Sequence, residues 1–135
     1  MAELKMNAIS LLSSTSINMK TTSKQTLYTV PTGKVLIVDH IHVRKPSATL
    51  VGAVDTDFGG DATPSDWILE VTLAGLTAVT HQAIIAQPAQ AAGPPIVPVQ
   101  KIIYAAAIAF GLIVNTVSTG AATVQMDLYG YLYDA

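Results

Sequence analysis

This chain has no cysteine. That excludes disulfide staples, thiolate metal centres and thiol nucleophiles together. It also has little charge: seven Lys and Arg and nine Asp and Glu, 12% of 135 residues, where a soluble domain carries about 25%. The net charge of −2 and the scatter of the basic residues argue against nucleic acid, whose phosphates need a basic patch. No apolar run is long enough for a membrane-spanning helix. The longest, Ile102 to Val114, falls well short of the about 20 residues required. The N-terminal stretch has mixed charge and a Ser-broken apolar region, a poor signal peptide, so synthesis in a cytoplasm is expected. Motifs of nucleotide or hydrolase chemistry are missing as well: no Walker loop, no Gly-x-Ser-x-Gly, no His-Glu-x-x-His. No enzyme and no cofactor is expected.

Half of the residues are apolar. They fall into short alternating runs cut by Gly, Pro, Asp and Asn, which is a strand pattern. Residues 1–25 are polar and rich in Ser and Thr, and read as an arm with one strand near 16–21. Residues 26–135 read as one β domain. Strands are expected over 26–30, 34–45, 48–54, 67–73, 78–86, 105–117 and 122–133. In the second of these, Val35, Ile37, Asp39, Ile41 and Val43 share one face, and Leu36, Val38, His40, His42 and Arg44 the other. That alternation predicts a strand that starts in the interior and ends near solvent. Pro46-Ser47 reads as the turn of a hairpin with 48–54. Residues 55–66 read as a loop, and Trp67, Leu69, Val71 and Leu73 as an inward row.

Pro88, Pro94, Pro95 and Pro98 make residues 87–99 irregular or edge-like. Residues 105–110 fit helix by their alanines and strand by the alternation of Ile108, Phe110, Leu112 and Val114. The β flanks favour strand. Ser118-Thr119-Gly120 reads as a hairpin turn. In the closing strand Val124, Met126, Leu128 and Leu132 line one face, and Thr123, Gln125, Asp127, Tyr129, Tyr131 and Tyr133 the other. About eight strands at this spacing make an all-β, antiparallel sandwich, and eight strands in two sheets point to a jelly roll.

Candidate chemistry is sparse. Asp55, Asp57 and Asp61, with Asp66 nearby, have the spacing with which a calcium loop begins, but the downstream bidentate Glu is missing. The same carboxylates equally suit a solvated turn that caps backbone N–H groups. His40 and His42, two apart on a strand, point the same way. With His81 they could begin a zinc or nickel site, or they make a polar strand face or a subunit contact. Asp39 on an apolar face needs a partner, with Arg44, Lys34 or a backbone group in view. An acid–base couple with Asp127 requires neighbouring strands. The ladder Tyr129, Tyr131, Tyr133 suits a protein interface, cross-strand packing or a platform for sugar rings.

A small β domain with this much apolar surface is expected to cover it with other subunits. The segment 26–38, with Val30-Pro31-Thr32-Gly33-Lys34 between two strands, resembles the opening of small structural proteins of tailed bacteriophage virions. Residues 124–133, ending in Tyr129-Gly130-Tyr131-Leu132-Tyr133, resemble their closing strand, and 52–67 resemble their Gly- and Asp-bearing loop ending in Trp67. The resemblance implies a capsid decoration (cement) protein on the virion surface, a homotrimer bound to the major capsid protein. A tail, baseplate or fibre module and a carbohydrate-binding β domain are the alternatives. No catalytic residue is implied.

Overall fold

The computed structural model describes residues 8–52, 54–85, 102–120 and 122–135. These form nine strands and no helix: β1 Ser10–Asn18, β2 Gln25–Thr29, β3 Lys34–Arg44, β4 Asp55–Gly59, β5 Ile68–Thr72, β6 Gln82–Ile85, β7 Ile103–Tyr104, β8 Ala109–Thr116 and β9 Thr123–Asp134. They build two antiparallel sheets packed as a β-sandwich. One has the order β1-β9-β3-β6, with β7 also pairing β3; the other has the order β2-β8-β4-β5. The strand expected near 16–21 lies earlier, at Ser10–Asn18, and is a full member of the first sheet. The Pro-rich stretch 87–99 and the first seven residues of the arm lie outside the described residues.

The pairings are nested. β1 pairs β9, β2 pairs β8, β3 pairs β6, and β4 pairs β5 at the centre. Most consecutive strands therefore lie in opposite sheets. This overturns both expected hairpins. Residues 48–52 form no strand against β3, because their backbone groups bond elsewhere. Leu50 donates to the Leu76 carbonyl at 3.0 Å, and Gly75 donates to the Leu50 carbonyl at 2.8 Å. Ser118-Thr119-Gly120 likewise carries the chain from β8 in one sheet to β9 in the other.

Alternation predicts the core best where the strands are regular. Val124, Met126 and Leu128 of β9 are buried, as are Phe110, Leu112 and Val114 of β8. The strand reading of 105–117 holds from Ala109; before it lies a turn, with Ala107 in the left-handed region at φ 69°. Trp67 meets Phe58 and Phe110 edge-to-face, with centroids 6.3 and 5.6 Å apart, and Tyr104 meets Phe110 at 5.2 Å. Full burial of one such side chain contributes about 1.5–3 kcal/mol.

Alternation fails where an extra residue enters a ladder. In β3 the register against β9 steps from Val38↔Gly130 to His40↔Tyr129, leaving Asp39 as a bulge. The bulge resets the phase. Leu36, Val38, Ile41 and Val43 all face the core, and Val35, Ile37, His40, His42 and Arg44 all face outward. The strand is thus half-buried along its whole length. A Cβ on Gly130 would lie 2.5 Å from the Ile37 carbonyl oxygen, so the close approach at this bulge requires glycine.

β5 breaks its pattern in the same way. Leu69 and Glu70 together oppose Asp57, Glu70 adopts φ 56°, and its N–H donates to Asp57 Oδ1 at 2.7 Å. Trp67 and Leu73 are buried as expected, but Leu69 is turned out to solvent. Residues 55–59, expected as loop, are strand β4, stitched between β8 and β5.

Candidate functional site

The chemistry-bearing residues gather on the outer face of the β1-β9-β3-β6 sheet. Directly opposed residues of an antiparallel pair share a face, so the registers define rows. Two rows are polar: Ser16, Gln125 and Arg44; then Ser14, Asp127, His42 and Ala83. The next rows are apolar and aromatic: Leu11, Tyr129, His40 and Ile85; then Tyr131, Ile37 and Ile103; then Tyr133 and Val35.

The polar half centres on Asp127, which is 4% exposed. Arg44 donates from Nε to Oδ2 at 2.6 Å and from Nη2 to Oδ1 at 3.1 Å, a bidentate fork. The Ser14 hydroxyl donates to Oδ1 at 2.6 Å, and Gln125 donates to the Ser14 oxygen at 2.8 Å. The hydrogen bond from Arg44 holds the Asp127 carboxyl below the usual carboxylate range. It outweighs the opposing effect of burial, and Ser14 adds to it. His42 stands beside this group, its Nδ1 3.9 Å from Asp127 Oδ2, and its Nε2 lies 3.0 Å from Nδ1 of His81.

The periphery of the other half carries aliphatic side chains. Leu11, Ile85 and Ile103 are 53%, 62% and 62% exposed. Between them the His40 ring stacks on Tyr129, with centroids 4.6 Å apart and planes 9° from parallel. The rings of Tyr131 and Tyr133 lie 6.2 Å apart. The expected interface residues Tyr129, Tyr131, Tyr133, His40 and His42 therefore share one face. Leu11, Ile85, Ile103, Ser14 and Arg44 complete the surface. Sequence reasoning did not single these five out for it, because membership depends on pairings remote along the chain.

Other candidates are placed apart. β3 and β9 are neighbours, as an Asp39–Asp127 couple requires, but the two carboxylates are engaged separately. Asp39 sits in the bulge and contacts His40 Nδ1 at 2.9 Å, whereas Arg44 is committed to Asp127. The Asp cluster is spread out rather than convergent. Asp55 and Asp57 stand on β4, where Asn115 Nδ2 donates to them at 3.4 and 2.7 Å. Asp61 lies in the following loop, its carbonyl bonded by Lys24 Nζ at 2.6 Å. Asp66 Oδ1 accepts the Gly60 N–H at 2.8 Å, which is the capping role. Among the described residues no group of three or more His, Asp or Glu side chains is arranged to hold a metal ion.

Comparison with protein-family models, with curated proteins and with solved structures returns no match.

Proposed function

We propose that this chain is a structural protein of a tailed-phage particle, a capsid decoration protein that binds the outer shell and stabilises it. The observation that carries the reading is the apolar half of one sheet face, with Leu11, Ile85 and Ile103 left in water around Tyr129, Tyr131 and His40. Aromatic and aliphatic side chains in a patch rimmed by polar rows are the composition of an interface core. The nested pairing of first strand with last and second with next-to-last supports a jelly-roll reading of the sandwich, an architecture frequent in capsid and lectin domains. The resemblance of residues 26–38 and 124–133 to virion proteins adds to this.

Binding of this kind is an equilibrium of many modest contacts. A trimer engaging three sites turns the second and third contacts into intramolecular ones, so a weak patch becomes a firm attachment. The partners proposed are two further copies of the chain and the major capsid protein, and the site of action is the virion surface.

The test is co-sedimentation of the purified chain with particles prepared without it, alongside light scattering of the chain alone. Saturable binding at fixed stoichiometry, a higher disruption temperature of the loaded particle and a trimeric mass are expected. A lone monomer that never binds the particle would overturn the proposal. Glycan binding that disappears in Tyr131→Ala would replace it with a carbohydrate-binding function.

A further inference from the structure

We propose that His42 and His81 form a two-imidazole chelate for a borderline divalent transition-metal cation, Zn²⁺ or Ni²⁺, with water in the remaining positions. His42 Nε2 and His81 Nδ1 lie 3.0 Å apart. The ring centroids are 5.0 Å apart and the planes differ by 22°. Since the nitrogens are nearer than the centroids, the rings meet edge to edge, and their donor atoms border one common space. Metal–imidazole bonds of about 2.0–2.1 Å, set at right or tetrahedral angles, separate two donor nitrogens by about 2.8–3.4 Å. The observed spacing falls within that range.

A second observation supports the pair. Asp127 Oδ2 lies 3.9 Å from Nδ1 of His42, the ring nitrogen that does not face His81. At that distance the carboxylate makes no direct hydrogen bond to the ring, but it places a negative charge beside the site, which favours a bound cation. Here that carboxylate is itself fixed by Arg44 and Ser14. One of the two facing nitrogens carries the proton of the His42–His81 hydrogen bond. Metal binding requires that this proton move to the far nitrogen of its ring and that the two rings pivot until both lone pairs converge on the ion.

His81 is exposed and follows a turn closed by Thr80 N–H donating to the Thr77 carbonyl at 2.9 Å, which leaves room for water ligands. Of the charged groups around the pair, Arg44 is neutralised by Asp127, and His40 is engaged with Asp39 and Tyr129. Nitrogen donors select zinc, nickel or copper over calcium and magnesium, which take oxygen. Such an ion would staple β3 to the segment entering the edge strand β6.

The test uses the full chain without a histidine tag, titrated with ZnCl₂ and followed by calorimetry and by ¹⁵N spectra of the imidazoles. Saturable binding is expected, with His42 Nε2 and His81 Nδ1 moving to metal-bound positions while His40 stays in place. The melting temperature should rise with zinc. His81→Asn, at an exposed position, and His42→Asn should each weaken zinc at least about tenfold, and His40→Asn should not. Melting without metal verifies that each variant is folded. Undiminished affinity in His81→Asn, metal shifts at His40 instead, or no saturable binding would each overturn the proposal.

Discussion

The two halves of the outer face of the β1-β9-β3-β6 sheet are made by the same two central strands, β9 and β3, yet they meet solvent differently. In the rows through Gln125 and Asp127 the polar groups find partners within the chain. Arg44, Ser14 and Gln125 close around one carboxylate. In the rows through Tyr129 and Tyr131 the margins are bare hydrocarbon: Leu11 on β1, Ile85 on β6 and Ile103 on β7. One half has its central carboxylate paired within the chain. The other loses free energy to water until something covers it, at about 25 cal/mol for each Å² of apolar area. A face of a single sheet can thus carry a region of paired polar groups and a region of exposed hydrocarbon, set side by side by register alone.

The β3 bulge inside the apolar half is the place to break this contrast most severely. Gly130→Ala puts a methyl group 2.5 Å from the Ile37 carbonyl oxygen, so the backbone of the β3 bulge must shift. The expected loss lies toward the upper end of about 1–3 kcal/mol in urea unfolding. The aromatic spectrum should change at the same time, because Tyr129 and Tyr131 flank the site.

Within the polar half, Asp127→Ala removes three hydrogen bonds to a charged group and should cost about 2 kcal/mol. Its pH signature has a definite sign. An Asp side chain titrates near about 3.9 when unfolded, and Arg44 holds this one lower in the fold. The unfolded chain is therefore the better proton binder. The stabilisation is whole above the ordinary carboxylate range and is lost as pH falls through the lowered value. Melting curves between pH 7 and pH 2 should show Asp127→Asn with a flatter acid limb than the native chain.

The smallest effect on folding sharpens the comparison most. Ile85→Ser with Ile103→Ser, at well-exposed positions, should leave stability within about 0.5 kcal/mol. Self-association or particle binding should nevertheless fall, read by sedimentation. A double variant that associates as the native chain does would show that the apolar half is not the contact.

Much of the core could be read from residue order. Val124, Met126 and Leu128, and Phe110, Leu112 and Val114, are inside because strand side chains alternate and each run is apolar at every second place. The same rule placed His40, His42 and Arg44 with Leu36 and Val38, and Ile41 and Val43 with Val35 and Ile37, whereas the bulge at Asp39 exchanges these partners. Nothing in Val38-Asp39-His40 announces a bulge; it arises where β3 fits between β9 and β6. Leu69 was misread for the same reason, since Glu70 is left-handed only because two residues must oppose Asp57. Of the candidate site, the tyrosine row was legible from its spacing. The partnership of His42 with His81 was not, since it depends on β6 lying beside β3.

Period-two alternation, set by the geometry of the extended backbone and by apolar content, determined that this chain is a sandwich of strands and chose most of its inward side chains. Which strand lies beside which, where an added residue turns a face over, and which remote groups become neighbours were decided only in the tertiary structure. The reason is range. Alternation acts between adjacent residues, whereas pairing the first strand with the last depends on how two whole sheets close over a common core.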